Sequence, residues 1–188
     1  WQTKCNFCHG SATDPSGAPP ASVSGATATS NRAVGAHQAH LKSSTWRAPL
    51  SCNQCHKVPA TLFAAGHLGA SPAELTFSGL AVTDGATPSF TGTPCSGSYC
   101  HGATLDGGQH TAPTWTKVDG TQSSCSSCHG DPPGGTHPQN TSCSSCHGAV
   151  VDASKKIIAP NLHINGKVEV TSYPPAGYAC LLYTSDAA

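Results

Sequence analysis

Ten of the eleven cysteines in this chain fall into five pairs, and a histidine follows the second member of every pair at once. Four pairs share one spacing: Cys5-Asn-Phe-Cys8-His9, Cys52-Asn-Gln-Cys55-His56, Cys125-Ser-Ser-Cys128-His129 and Cys143-Ser-Ser-Cys146-His147. The fifth is longer, Cys95-Ser-Gly-Ser-Tyr-Cys100-His101. Histidine is 11 residues of 188, so five chance placements behind a second cysteine have a probability of about one in a million, and C-x-x-C-H is the attachment signature of c-type haem. The chemistry explains the spacing. Each thiol S–H adds across one porphyrin vinyl group, and the adjacent imidazole reaches the iron from the same side. Two intervening residues bridge the vinyl positions in a compact turn, and four do so with a looser loop. Zinc ribbons also use C-x-x-C pairs, but they need the pairs to converge in fours and ask for no histidine after each. A disulfide scaffold suits a cysteine-rich secreted chain, yet it gives the histidines no role. Four of the five motifs continue with glycine (Gly10, Gly102, Gly130, Gly148) and one with Lys57; a residue lacking Cβ lets the backbone turn sharply or pass close to a ring.

Composition supports a non-protein interior. Only 37% of residues are hydrophobic and 6% aromatic, against 20 glycines and 15 prolines, which is too little for an ordinary aliphatic core. Charged residues are only 10% and the net charge is zero, so the chain lacks the high net charge of a disordered sequence. It also lacks the basic footprint of a nucleic-acid binder. No run approaches the ~18 consecutive apolar residues of a membrane span. Five covalently held haems would supply the missing apolar body, each contributing several kcal/mol by area. Oxidised bis-histidine haem with ionised propionates adds about one net negative charge, so a loaded chain is expected to be acidic and to steer towards basic surfaces.

Six histidines stand outside the motifs: His37, His40, His67, His110, His137 and His163. The chain has no methionine, which removes the His/Met ligation that raises cytochrome potentials. Six spare imidazoles for five irons allow each a second histidine. Such iron has no open position for substrate, and this favours electron transfer over catalysis. His37 and His40 lie one helical turn apart and could serve two haems; His40 is the favoured ligand of the two, with His37 left to a haem outside this chain or to none.

The motifs repeat in order. Trp1, Cys5–His9, Pro19-Pro20, His37/His40, Cys52–His56, His67 and an extended run are answered by Trp115, Cys125–His129, Pro132-Pro133, His137, Cys143–His147, His163 and Lys167–Val170. One unit is thus C-x4-C-H followed by two C-x-x-C-H, giving a unit over 1–94 whose start is truncated and a second over 95–171. Residues 172–188 form a truncated end; within them 180–188, with the unmatched Cys180, reads as translated sequencing adapter. Helices are expected at 33–42, at 59–66 and from each C-x-x-C-H, and strands at Glu74–Ala81 and Lys167–Thr171. Residues 11–36 and 82–94 read as loops. Trp1, Trp46, Trp115, Phe77 and Tyr99 are expected to pack against haem edges. The fold class is a mostly irregular, haem-cored chain with short helices and a few short strands.

The words Cys95-SGSY-Cys100-His101-GATLDGG, Pro113-Thr-Trp115, Cys128-His129-Gly-Asp-Pro-Pro and His163-Ile-Asn-Gly-Lys-Val closely resemble the CxxxxCH/CxxCH multihaem c-type cytochromes of Geobacter-like metal-reducing bacteria. The resemblance spans residues 1–171. It implies ten thioether cysteines, five proximal histidines (His9, His56, His101, His129, His147) and distal ligands among the other six. It also implies a periplasmic, outer-membrane-associated or extracellular carrier that exports respiratory electrons, with other redox proteins and extracellular metal oxides as partners. Two further readings stand beside this one. A multihaem reductase needs one open haem with cationic donors. A subunit of an extracellular cytochrome filament would self-associate, with His37 ligating a neighbour's haem.

Overall fold

The computed structural model of the chain describes His9, residues 20–70 and residues 72–171. Regular structure is sparse: helix α1 (His37–Leu41), a 3-10 turn at Cys52–Gln54, a kinked 3-10 segment at Gly79–Gly85, and strands β1 (Ser89–Phe90) and β2 (Cys95–Ser96). A 3-10 turn at Tyr99–His101 and helix α2 (Ser144–His147) complete it. Glycine and proline explain the brevity. Gly35 takes φ +41 just before α1, and Gly66 takes φ +85 inside the segment expected to be helical at 59–66. That segment forms only successive turns, with Ala64 N–H donating to the Thr61 carbonyl (3.1 Å) and His67 N–H to that of Ala64 (3.0 Å).

Two of the expected helical starts form, at Cys52–Gln54 and Ser144–His147, and the longer motif carries one that was not expected, at Tyr99–His101; Cys125–Cys128 makes a turn alone. The loop expected at 82–94 contains part of the Gly79–Gly85 segment and β1. Strand β1 pairs antiparallel with β2, Phe90 opposite Cys95, so the long motif begins on a strand. Neither expected strand forms. Residues 73–78 and 168–171 are extended without a strand neighbour, because their hydrogen bonds go to the motifs. Thr76 N–H donates to the Cys55 carbonyl at 2.9 Å and Thr171 N–H to the Cys146 carbonyl at 2.9 Å. The sequences at these places, Glu74-Leu-Thr76 and Glu169-Val-Thr171, are equivalent in the two units.

The two units interlock. Ala48 N–H bonds the Pro160 carbonyl (3.0 Å), and Trp115 Nε1–H donates to the Arg32 carbonyl (2.8 Å). The protein's own core is small: Val34, Ala81, Ala86, Val150 and Val151 are buried, whereas Phe63, Leu68, Val58, Ile158 and Val168 are among the large hydrophobics left exposed. A chain of this size normally hides more apolar surface than it displays in such residues. Among the described residues, no helix is long and apolar enough to cross a membrane.

Candidate functional site

The histidines share one local device. In eight of them Nδ1 lies 2.7–2.9 Å from a backbone carbonyl: His37 on Val34, His40 on Ala36, His56 on Glu74, His67 on Leu62, His129 on Gly130, His137 on Pro138, His147 on Glu169 and His163 on Trp46. A carbonyl only accepts, so Nδ1 must carry the proton and Nε2 the lone pair. This is the second-sphere bond that typically orients a metal-ligating imidazole. Two of the carbonyls, Val34 and Ala36, lie just before helix α1, and those of Glu74 and Glu169 lie in the runs 73–78 and 168–171.

The rings are paired across the sequence. His9 faces His67 with centroids 5.9 Å apart, His56 faces His37 at 6.3 Å, His101 faces His40 at 5.9 Å and His147 faces His137 at 6.2 Å. Each pair joins one motif histidine to one non-motif histidine. With metal–nitrogen bonds of about 2.0 Å and about 1.1 Å from nitrogen to ring centre, two imidazoles in line through one ion have centroids about 6.2 Å apart. The pairing also respects the repeat. The third-motif histidine of each unit (His56, His147) takes the histidine that lies between the second and third motifs (His37, His137). The second-motif His9 takes His67, which follows the third motif. His163 is the equivalent of His67, and it is the histidine whose pKa is influenced by His129.

Burial pushes the pKa of His37, His40 and His163 down. Burial, then the charges of His40 and Arg47, push His101 down to about 4. All four are therefore neutral near pH 7, the metal-binding form of imidazole. Among the described residues no three His, Cys, Asp or Glu side chains converge as a metal cluster. Two imidazoles per site suit an ion whose four equatorial positions belong to a macrocycle, whereas tetrahedral zinc takes four donors. The residues present therefore fit bis-histidine haem.

Among the described residues, Cys52, Cys55, Cys95, Cys100, Cys125, Cys128, Cys143 and Cys146 form no disulfide. Burial pushes Cys55 up to about 11 and raises Cys95, Cys100, Cys128 and Cys143, so they hold their protons at neutral pH. The third and fourth motifs dock directly. Gly102 closes the Tyr99–His101 turn at φ +80, and a Cβ there would overlap the Cys128 carbonyl. The glycine after this motif is thus required both for its conformation and for the close approach. Ser127, inside the fourth motif, is fully buried; its Oγ accepts the Ser124 N–H at 2.8 Å.

Both His37 and His40 find a partner, although their spacing favoured only His40. His110 is the histidine left over: it is exposed and shares no ring contact with another described imidazole. Cys5, Cys8, Gly10, Trp1 and residues 172–188, including Cys180, lie outside the described residues. Sequence reasoning missed the eight carbonyl acceptors, which no side-chain pattern encodes. It also missed the placement of Trp115 against both His37 and His40. No family model, curated protein or solved structure matches the chain.

Proposed function

We propose that this chain is a multihaem c-type cytochrome that binds five haems and carries electrons. The observation that carries the reading is the set of four ring pairs at 5.9–6.3 Å, each uniting a Cys-…-Cys-His histidine with a distant one. When bound, c-type haem supplies a one-electron iron centre and a large apolar plane. The chain's residues do the rest. Cys5/Cys8, Cys52/Cys55, Cys95/Cys100, Cys125/Cys128 and Cys143/Cys146 tether the group through thioethers. His9, His56, His101, His129 and His147 ligate on one side. His67, His37, His40, His163 and His137 ligate on the other, in that order. The Nδ1–H bonds hold the rings in place and make Nε2 the donor.

A second imidazole on each iron leaves no site for an oxyanion, which is the argument against a reductase. Five haems in 188 residues, one for roughly every 38, put neighbours close enough to form a conduit. Attachment of c-type haem takes place outside the cytoplasmic membrane, so the proposed location is periplasmic, outer-membrane-associated or extracellular. The partners are other redox proteins and extracellular metal oxides. Self-association through His37 loses support, because His37 faces His56 within the chain and each iron in this reading has a second imidazole of its own; microscopy showing filaments would revive it.

The test is expression in a host with c-type haem maturation, followed by intact mass and a reduced-minus-oxidised visible spectrum. Five added haems with a sharp low-spin spectrum are expected. Zinc in place of haem would overturn the proposal.

A further inference from the structure

The four ring pairs differ in one respect. The imidazole planes are nearly parallel in His9/His67 (26°), His56/His37 (23°) and His147/His137 (17°), but they cross at 81° in His101/His40. The crossed pair belongs to the only motif with four intervening residues, and it joins the two units, since His40 lies in the first and His101 in the second.

The neighbourhood accounts for the crossing. His40 is fixed by its own helix, with Nδ1–H on the Ala36 carbonyl at 2.8 Å. Trp115 then lies flat on it, centroids 5.6 Å apart and planes 27° apart, while meeting His37 edge-on at 4.8 Å and 89°. The indole is itself anchored. Nε1–H donates to the Arg32 carbonyl at 2.8 Å, and Phe90 meets it edge-on at 6.1 Å. Gly35 passes so close that a Cβ there would overlap the indole. Arg47 lies within electrostatic reach of both His40 and His101, its guanidinium donating to the carbonyls of Ala39 and Ala48.

Ring orientation has an electronic meaning for bis-histidine iron. Parallel imidazoles donate π density into the same iron d orbital and split the pair of orbitals widely. Crossed imidazoles donate into one each and leave the pair nearly degenerate. The first case gives rhombic low-spin resonances; the second gives one strongly anisotropic resonance at much higher gmax. Weaker net π donation to ferric iron, together with a fixed guanidinium nearby, favours the ferrous state.

Resting on the haem reading above, we propose that Trp115 is a positioning residue that holds His40 across His101, making the haem at Cys95/Cys100 electronically distinct from the haems of the three parallel ring pairs and more readily reduced than they are. The electron is taken from the titrant; no bond forms or breaks in the protein. Trp115 touches the ligands of two haems, those at His56 and His101, so it also sits where an electron passes from one unit to the next.

The test is a dithionite titration of the oxidised holoprotein followed by electron paramagnetic resonance. A component of at least one fifth of the spin intensity is expected at high gmax, and it should disappear before the rhombic signals. Trp115→Ala should move one fifth of the intensity among the rhombic signals and delay its reduction to that of the others. Trp115→Phe, which keeps an aromatic face, should restore it. Mass spectrometry and the low-spin visible spectrum confirm five haems in each variant. Should Trp115→Ala fail to mature, Gly35→Ala displaces the indole instead and is read by the same two outcomes. A five-haem protein with only rhombic signals, a high-gmax signal that titrates last, or one indifferent to loss of the indole would overturn the inference while leaving the haem reading intact. Absence of haem would overturn both.

Discussion

Replacing the non-motif histidines one at a time separates ligands from a bystander. The ring pairs assign His67, His37, His40 and His137 to one motif histidine each, and the repeat assigns His163 to His129. Each His→Ala change should therefore open one of five irons. The low-spin intensity should fall by one fifth, a high-spin band should appear, and one equivalent of cyanide should bind. His110→Ala should open none. The sharpest member of the series is the double variant His37→Ala/His40→Ala. These rings stand three residues apart on α1, but they face different partners, His56 and His101. Their effects should add, giving two open irons and two equivalents of cyanide. If one of them were a bystander, the double variant would match a single. That result, or a high-spin band in His110→Ala, would refute the pairing argued from ring geometry.

Three further outcomes test the local architecture. Gly102→Ala forces a side chain into φ +80 and against the Cys128 carbonyl; a loss above about 2 kcal/mol is expected in a denaturant titration, since the left-handed conformation alone costs ~1–2 kcal/mol. Ser127→Ala removes a fully buried hydroxyl that accepts the part-buried Ser124 N–H and should cost about 0.5–1.5 kcal/mol, with a lower melting temperature. Thr76→Pro and Thr171→Pro each delete one N–H bond to a motif carbonyl. Losses of about 1–3 kcal/mol are expected, somewhat larger at Thr171, whose Oγ1 also donates to the Cys146 carbonyl; a loss confined to one of the two sites, read by the same titration, would deny that the two units are equivalent.

The motif histidines and cysteines were legible as candidates because the same residue types recur at fixed spacing. The irregular fold class was legible for a related reason: a chain rich in glycine and proline and poor in aliphatic residues has no means of building long elements. Glu74–Ala81 misled because β-propensity reports a half-buried extended surface. The extended backbone is there, but its hydrogen bonds run to Cys55 and Gln54, and no local pattern reveals that partner. The segment 59–66 misled in the opposite sense, its helical propensity overridden by the positive φ of Gly66. His37 looked superfluous because counting ligands ignores direction; two residues on one helical turn can face different sides, and only the third dimension shows that they do.

The bond from His163 Nδ1 to the Trp46 carbonyl spans 117 positions, and this has a kinetic meaning. Closing so long a loop is slow, because its entropy must be spent before any contact rewards it. Contacts within a single motif or between neighbouring motifs form over far shorter separations. The clasp between the 44–50 segment and the 160–163 segment is therefore expected to close later than the local contacts. Until it closes, the four intervening cysteine pairs belong to a chain still open to a modifying enzyme. The same long-range topology that locks the finished molecule leaves an interval, early in its life, for the thiols to be reached.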